Sequence, residues 1–244
     1  MIRASALTIA ALCMMAPPLA AQSRIEVIPY DDIAVPPGTQ IDFEGLSVHS
    51  DRGLMPVDGL LVLKGVALGE RFEGQGAGTR ISPEGIAHDR ILERPTAPLA
   101  VEPGPRGGNL AIAQSDPAFG SSVLLPTGPG AADGDADHRH GEGAVALRFD
   151  QDQCMLGFAV YLDGLGGTVA ALEAGWNLRV TFYDRDGRIL GEMSQLRSGG
   201  LQTAAYRDRS GVPMIAGAMI ENLDIGGIAL DDLRFSAYCT PLLS

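Results

Sequence analysis

Leu178-Arg179-Val180-Thr181-Phe182-Tyr183-Asp184-Arg185-Asp186-Gly187-Arg188-Ile189-Leu190-Gly191 is the stretch that decides the fold class. Leu178, Val180 and Phe182 alternate with Arg179, Thr181 and Tyr183, the period of two that sets one side of a strand against a core. Asp184 to Gly187 then predicts a tight turn, because Asp-Gly tolerates the positive φ that hairpin turns need. Arg188 to Met193 returns as the partner strand.

The same pattern extends outward. Val145, Leu147 and Phe149 alternate with Ala146 and Arg148, and Asp150 to Gln153 reads as a turn before Leu156, Phe158, Val160 and Leu162. Val212 to Leu223 and Ile228 to Tyr238 supply two late strands, and Ala171 to Ala174 a short helical turn. Earlier candidates are Ile25 to Ile28, Gln40 to Phe43, Leu60 to Val66, Leu110 to Ala113 and Val123 to Leu125. Arg94 to Gly108 and Pro126 to Gly143 read as long loops near 94–108 and 126–143. With 32 Gly and 16 Pro breaking up every long apolar period, the expectation is all-β, an antiparallel β-sandwich. There is no internal repeat and no linker, so residues 22–244 are expected to form one domain.

Residues 1–21 read as a signal peptide: Arg3, then apolar Ala4 to Met15, then Pro17-Pro18 and small residues up to Ala21. The apolar part is too short to span a bilayer comfortably, and no later stretch is long enough, so no membrane span is expected after signal cleavage. A periplasmic or extracellular location follows. Cys13 leaves with the signal; the remaining pair, Cys154 and Cys239, is expected to form a disulfide, two buried thiols being the alternative. Arg3 is the one charged residue in that leader, so its loss moves the formal charge from -12 to about -13. An acidic chain with a single lysine, Lys64, argues against nucleic acid as a partner.

Five stretches taken in order carry a resemblance: Ile41-Asp42-Phe43-Glu44-Gly45-Leu46, Asn109 to Ala113, Val145 to Asp150 with Gly157 to Val160, Leu178 to Gly191, and Gly227 to Phe235. The series resembles the jelly-roll, galactose-binding-like domain of exported bacterial proteins, as found in PEP-CTERM-type proteins. It covers roughly Gln40 to Phe235. Ser236 to Ser244 holds no sorting motif, apolar anchor or basic stop, so a surface-sorted fate is not carried over. The resemblance implies a jelly-roll sandwich and carbohydrate or cell-surface binding. It also implies a structural calcium between an early-strand acid and an acid on the last strand. Glu44 matches the first position and Asp231 or Asp232 the second, with backbone carbonyls and water completing the shell. Independently, Ile228 and Leu230 keep one parity while Leu233 and Phe235 keep the other, a slip that predicts a β-bulge at Asp231-Asp232. Such a bulge turns one of the two acids away, and Asp232 is preferred as the ligand.

Other constellations are less directive. Asp133, Asp135, Asp137, His138, His140 and Glu142 form a second metal candidate in a Gly-rich loop, where alternate acids can wrap a hard cation. It is not an EF-hand, because His138 stands where the loop glycine belongs and Ala144 where the bidentate acid belongs. The alternative is a solvated acidic loop. Trp176, the one tryptophan, could serve as a sugar platform or pack at the sandwich rim. No Gly-x-Ser-x-Gly elbow occurs, Ser121-Ser122 reads as a strand start, and His49 with Asp51 has no evident nucleophile. Asp184 and Asp186 flank a tight turn rather than a sugar bond. No catalytic residue is assigned. The expected function is an exported, non-catalytic binding or adhesion module for a glycan or cell-envelope component. The alternative is a purely structural exported domain held by its disulfide and calcium, with a glycosidase or esterase third.

Overall fold

The computed structural model describes residues 23–46, 53–129, 140–163 and 169–239. Its strands are β1 Ile25–Val27, β2 Thr39–Ile41, β3 Leu54–Val57, β4 Leu61–Leu63, β5 Val66–Gly69, β6 Arg71–Phe72, β7 Gly76–Ile81, β8 Ala87–Leu92 and β9 Val101–Glu102. They continue with β10 Leu110–Ala113, β11 Val123–Pro126, β12 Val145–Gln153, β13 Met155–Leu162, β14 Leu178–Tyr183, β15 Ile189–Gln195, β16 Gly200–Asp208, β17 Ile215–Asn222 and β18 Ile228–Ser236. One helical turn, α1, spans Val169–Ala174.

Two large antiparallel sheets make the sandwich. One runs β1-β16-β13-β18-β11-β10-β3, with β2 also pairing β18; the other runs β15-β14-β17-β12-β5-β4. From β12 to β18 the chain passes between the sheets at almost every connection, which is the jelly-roll manner of closing a sandwich. The opening hairpin sits where its alternation put it: β14 and β15 pair from Leu178↔Gln195 to Phe182↔Gly191. Leu178, Val180 and Phe182 are wholly buried against Leu156, Phe158 and Tyr206 of the facing sheet. The rings of Phe182 and Tyr206 meet edge-on at 5.2 Å between centroids, and Phe149 meets Phe235 at 4.9 Å.

The other face of the six-stranded sheet is covered as well. Ala144, Ala146, Tyr183, Ala216 and Met219 point away from the main core, yet they are buried under Phe72, Leu99 and Val101. Those covering residues belong to the stretch between β5 and β10, where β6 pairs β9 and β7 pairs β8 as two separate ribbons. The cover lies so close that a Cβ on Gly217 would stand 2.6 Å from Leu147 O, 2.8 Å from Leu99 Cδ2 and 3.0 Å from Phe72 Cζ. Only glycine fits there.

Several expectations are corrected. Leu60 to Val66 is a hairpin rather than one strand: β4 turns into β5 at Gly65, whose φ of 81° the turn requires. Asp150 to Gln153 is not a turn, because β12 continues through it and absorbs a register shift between Arg148 and Gln153. The 94–108 loop contains β9. Cys154 and Cys239 are bonded, with their Cα atoms 5.3 Å apart and a sequence separation of 85. The bond ties the end of β18 to the β12–β13 junction.

Phe182→Ala removes a ring from the middle of the main core and is expected to lower the unfolding free energy by about 3–5 kcal/mol. Arg188→Ala, on the exposed hairpin turn, is expected to change it by less than about 0.5 kcal/mol. Urea denaturation of both variants checks the pair; similar losses would mean that this hairpin does not face the core.

Candidate functional site

The last strand holds the predicted bulge. Opposite β13, Arg234 pairs with Gly157 and Asp231 with Ala159, so two residues of β18 oppose the one between them. Asp232 sits there at φ 48°. The bulge turns the neighbouring acids apart. Asp231 Oδ2 accepts from Ser121 Oγ at 2.7 Å and its Oδ1 from the Asp232 amide at 2.6 Å. Glu44 accepts from the Ser122 amide at 2.6 Å and from Ser122 Oγ at 3.4 Å. Asp232 instead reaches Gln40 Nε2 on β2, at 2.5 Å. Glu44 and Asp231 therefore meet on the Ser121-Ser122 pair before β11, and Asp232 is not part of that meeting.

These residues do not fit the calcium that the resemblance implies. The oxygens of Glu44 and Asp231 are taken by hydroxyl and amide donors, and among the described residues no three His, Cys, Asp or Glu are grouped to hold a metal. The arrangement is a brace joining β18, β11 and the segment after β2. Burial, with Asp232 and Asp42 adding to it, pushes Asp231 up to about 6.

Of the second metal candidate, Asp133, Asp135, Asp137 and His138 lie outside the described residues, as do His49 and Asp51. His140 bridges Thr127, and Glu142 is 4% exposed with its carbonyl accepting from the Asp89 amide. Trp176 is 8% exposed and packs with Ala171 and Leu223. The Arg179 guanidinium covers its ring at 4.4 Å and that of Arg80 lies at 5.7 Å, so the ring is occupied by the rim-packing role. Arg179 is held in turn by Glu221 at 2.7 Å.

Two clefts carry polar groups that sequence reasoning did not single out. The first, of about 410 Å³, opens beside the β7–β8 ribbon, next to the start of β6. Glu70, Arg71, Gln75 and Asp89 line it, with Gly76 to Thr79 as one wall and Pro105, Gly108, Gly128 and Pro129 as the other. Glu70 is 3% and Asp89 7% exposed. Arg71 pairs with Glu70 and, at 3.1 Å, with Glu102. Asp89 Oδ2 accepts from the Ala144 amide at 2.9 Å. Burial raises Glu70, and burial above all, with Glu70 and Glu221 nearby, raises Asp89 to about 7. Beside Asp89 on β8, wholly buried His88 is pushed down to about 4 by desolvation and stays neutral.

The second cleft, of about 280 Å³, lies at the disulfide end of the sandwich. Tyr238, Asp150, Gln151 and Gln153 face it across a floor that includes Phe235, and Pro37 to Thr39 close one side. Tyr238 is 63% exposed, whereas Phe235 is 4% exposed. Gln153 Nε2 donates to Gln151 O at 2.7 Å, which fixes the first amide, and the Tyr238 amide donates to Ser236 Oγ at 3.1 Å. The signal for this site was present but misassigned, because Tyr238 reads as the end of the last strand when β18 stops at Ser236.

Asp89 has a raised value in the folded chain, so its contribution to stability is full below the ordinary 3.8 and is lost as pH rises to about 7. Asn keeps an acceptor for the Ala144 amide and cannot ionise. Relative to the wild type, Asp89→Asn is expected to gain stability between about pH 5 and about pH 8. Denaturant titrations at both values check this; an unchanged difference would show that Asp89 ionises like a solvated acid.

No family model matches the sequence, that of the exported galactose-binding-like domains included. No curated protein matches it. Among solved structures, the chain is similar to the N-terminal CBM22-1–GH10 modules of Clostridium thermocellum endo-1,4-β-D-xylanase 10B, complexed with xylohexaose. The identity is 9% and the TM-score 0.28; the match covers 81% of this chain and 28% of that one.

Proposed function

We propose that this protein is an exported, non-catalytic glycan-binding module that seats a sugar ring on Tyr238. The observation that carries the reading is the meeting of an exposed tyrosine with one carboxylate and two amides in a concave site. A sugar ring offers an apolar C–H face and a rim of hydroxyls that both donate and accept. An aromatic ring suits the face. Asp150 accepts, while Gln151 and Gln153 can do either, so together they suit the rim. A cleft of about 280 Å³ is near the lower size of small-ligand sites, which favours a single ring or a chain end over an extended polymer.

Further facts bear on the setting. The Cys154–Cys239 bond belongs to an oxidising compartment, consistent with export. It also anchors Tyr238 through the next residue, so the platform is held before ligand arrives and less ordering entropy opposes binding. Among the described residues no helix is long and apolar enough to cross a membrane. A net charge of -12 favours an uncharged or cationic ligand over an anionic polymer.

The test is a panel of neutral hexoses, N-acetylhexosamines and their oligomers, read by saturation-transfer NMR and calorimetry. A bound sugar is expected to lose at least about tenfold in affinity with Tyr238→Ala and with Asp150→Asn, while both variants melt near the wild-type temperature. Reducing the disulfide is expected to weaken binding in the same direction. No binder in the panel, or a binder indifferent to both substitutions, overturns the reading and leaves a structural role.

A further inference from the structure

The first cleft serves a different chemistry. We propose that it is a second ligand site, which takes a primary ammonium group between Asp89 and Glu70. Three observations lead there. Asp89 is 7% exposed, yet only its Oδ2 has a hydrogen bond; Oδ1 has no partner among the described residues, and the residue lines the cleft. Oδ1 opens on the cleft, where a donor on an entering ligand can reach it. The charges round it are also short of a cation: Arg71 is shared between Glu70 and Glu102 and brings one positive charge to two acids before Asp89 is counted. Finally, the cleft is roomy, at about 410 Å³, and its β7 wall is made of Gly76, Ala77 and Gly78, so a ligand can reach the acids past small side chains.

An ammonium supplies what is missing. It carries three donors and one positive charge, enough to bond Asp89 Oδ1 and reach Glu70 at once. A divalent metal is the poorer match, since hard cations want six or more oxygens and no three-acid group exists among the described residues. Neutral sugars lack the charge, so this site and the Tyr238 cleft would read different parts of a ligand or different ligands.

Binding is coupled to a proton. Besides Glu70, Arg71 and Glu102, the charged groups near Asp89 are Glu142 on the adjoining turn and Glu221 on β17, itself bonded to Arg179. With these around it Asp89 keeps its proton to about 7, and the ammonium binds the ionised form. Affinity therefore rises from acid to mildly alkaline pH, and one proton leaves as the amine binds.

The experiment is calorimetric titration of the full disulfide-bonded chain with cadaverine and with butylamine, using 1,5-pentanediol as the uncharged control, at about pH 6 and about pH 8. Both amines are expected to bind, about tenfold tighter at the higher pH, with the neutral control silent. Asp89→Asn keeps the Ala144 bond and is expected to lose at least tenfold for the amines. Ala77→Lys, on an exposed strand position, places an ammonium at the mouth and is expected to compete with added amine while the melting temperature holds. Asp186→Asn, an acid on the distant hairpin turn, is the control for the general negative charge and should bind as wild type. The proposal is overturned if Asp89→Asn and Ala77→Lys bind amines as the wild type does. It is equally overturned if Asp186→Asn weakens binding as much as Asp89→Asn. Tyr238→Ala leaves amine binding unchanged if the two sites are separate, so failure here and failure of the glycan reading are told apart.

Discussion

Both faces of the six-stranded sheet must be kept dry, and this one constraint shapes much of the molecule. Its inner face supplies Leu147, Val180, Phe182 and Ile220 to the main core. Its outer face would expose Tyr183, Met219 and three alanines if nothing covered it. The stretch from β6 to β9 is that cover, and it explains the small residues at Ala146, Ala216 and Gly217. A larger side chain there would hold Phe72 and Leu99 off the sheet, leaving voids whose lining atoms lose their dispersion partners. The acidic cleft follows from the same cover. The cover does not close completely against the loop residues Pro105, Gly108, Gly128 and Pro129, and the buried acids Glu70 and Asp89 line the gap.

Ion pairs do much of the positioning. Arg207 on β16 holds Glu26 on β1 at 2.6 Å, and Arg209 joins the same acid at 3.1 Å, which pins a three-residue strand to the sheet edge. The pair with Arg207 draws Glu26 below the usual carboxylate range. Arg179 links Glu221 to the face of Trp176. A flat guanidinium can stack on a ring and bond a carboxylate at once, which an ammonium cannot, so these sites have use for the arginine that dominates the basic residues of this chain.

Legibility in the sequence followed the period of two. The hairpin from Leu178 to Met193 could be read because large apolar side chains mark every inward position and Asp-Gly marks the turn. Leu110 to Ala113 emerged with the expected bounds. Strand β16 was hidden because its signals are inverted: Leu201 is half exposed, while small Ala204 fills the core. Strands β7 and β8 carried no alternation at all, since Gly76, Gly78, Thr79 and Arg80 pack a cover rather than a core. The slip in parity at Asp231-Asp232 correctly located the bulge. The partners of the two acids could not be found that way, because Ser121 is 110 residues from Asp231 and only the fold brings them together. The pair Glu70 and Asp89 was invisible for the same reason.

The bond between Cys154 and Cys239 turns β13 to β18 into part of a covalent ring. Three strands of each sheet pass through it, so a single nick anywhere between those cysteines opens the ring but releases no fragment. Where proteases are present, the molecule can take one cut between those cysteines and still hold its two pieces, and the Tyr238 segment, in register.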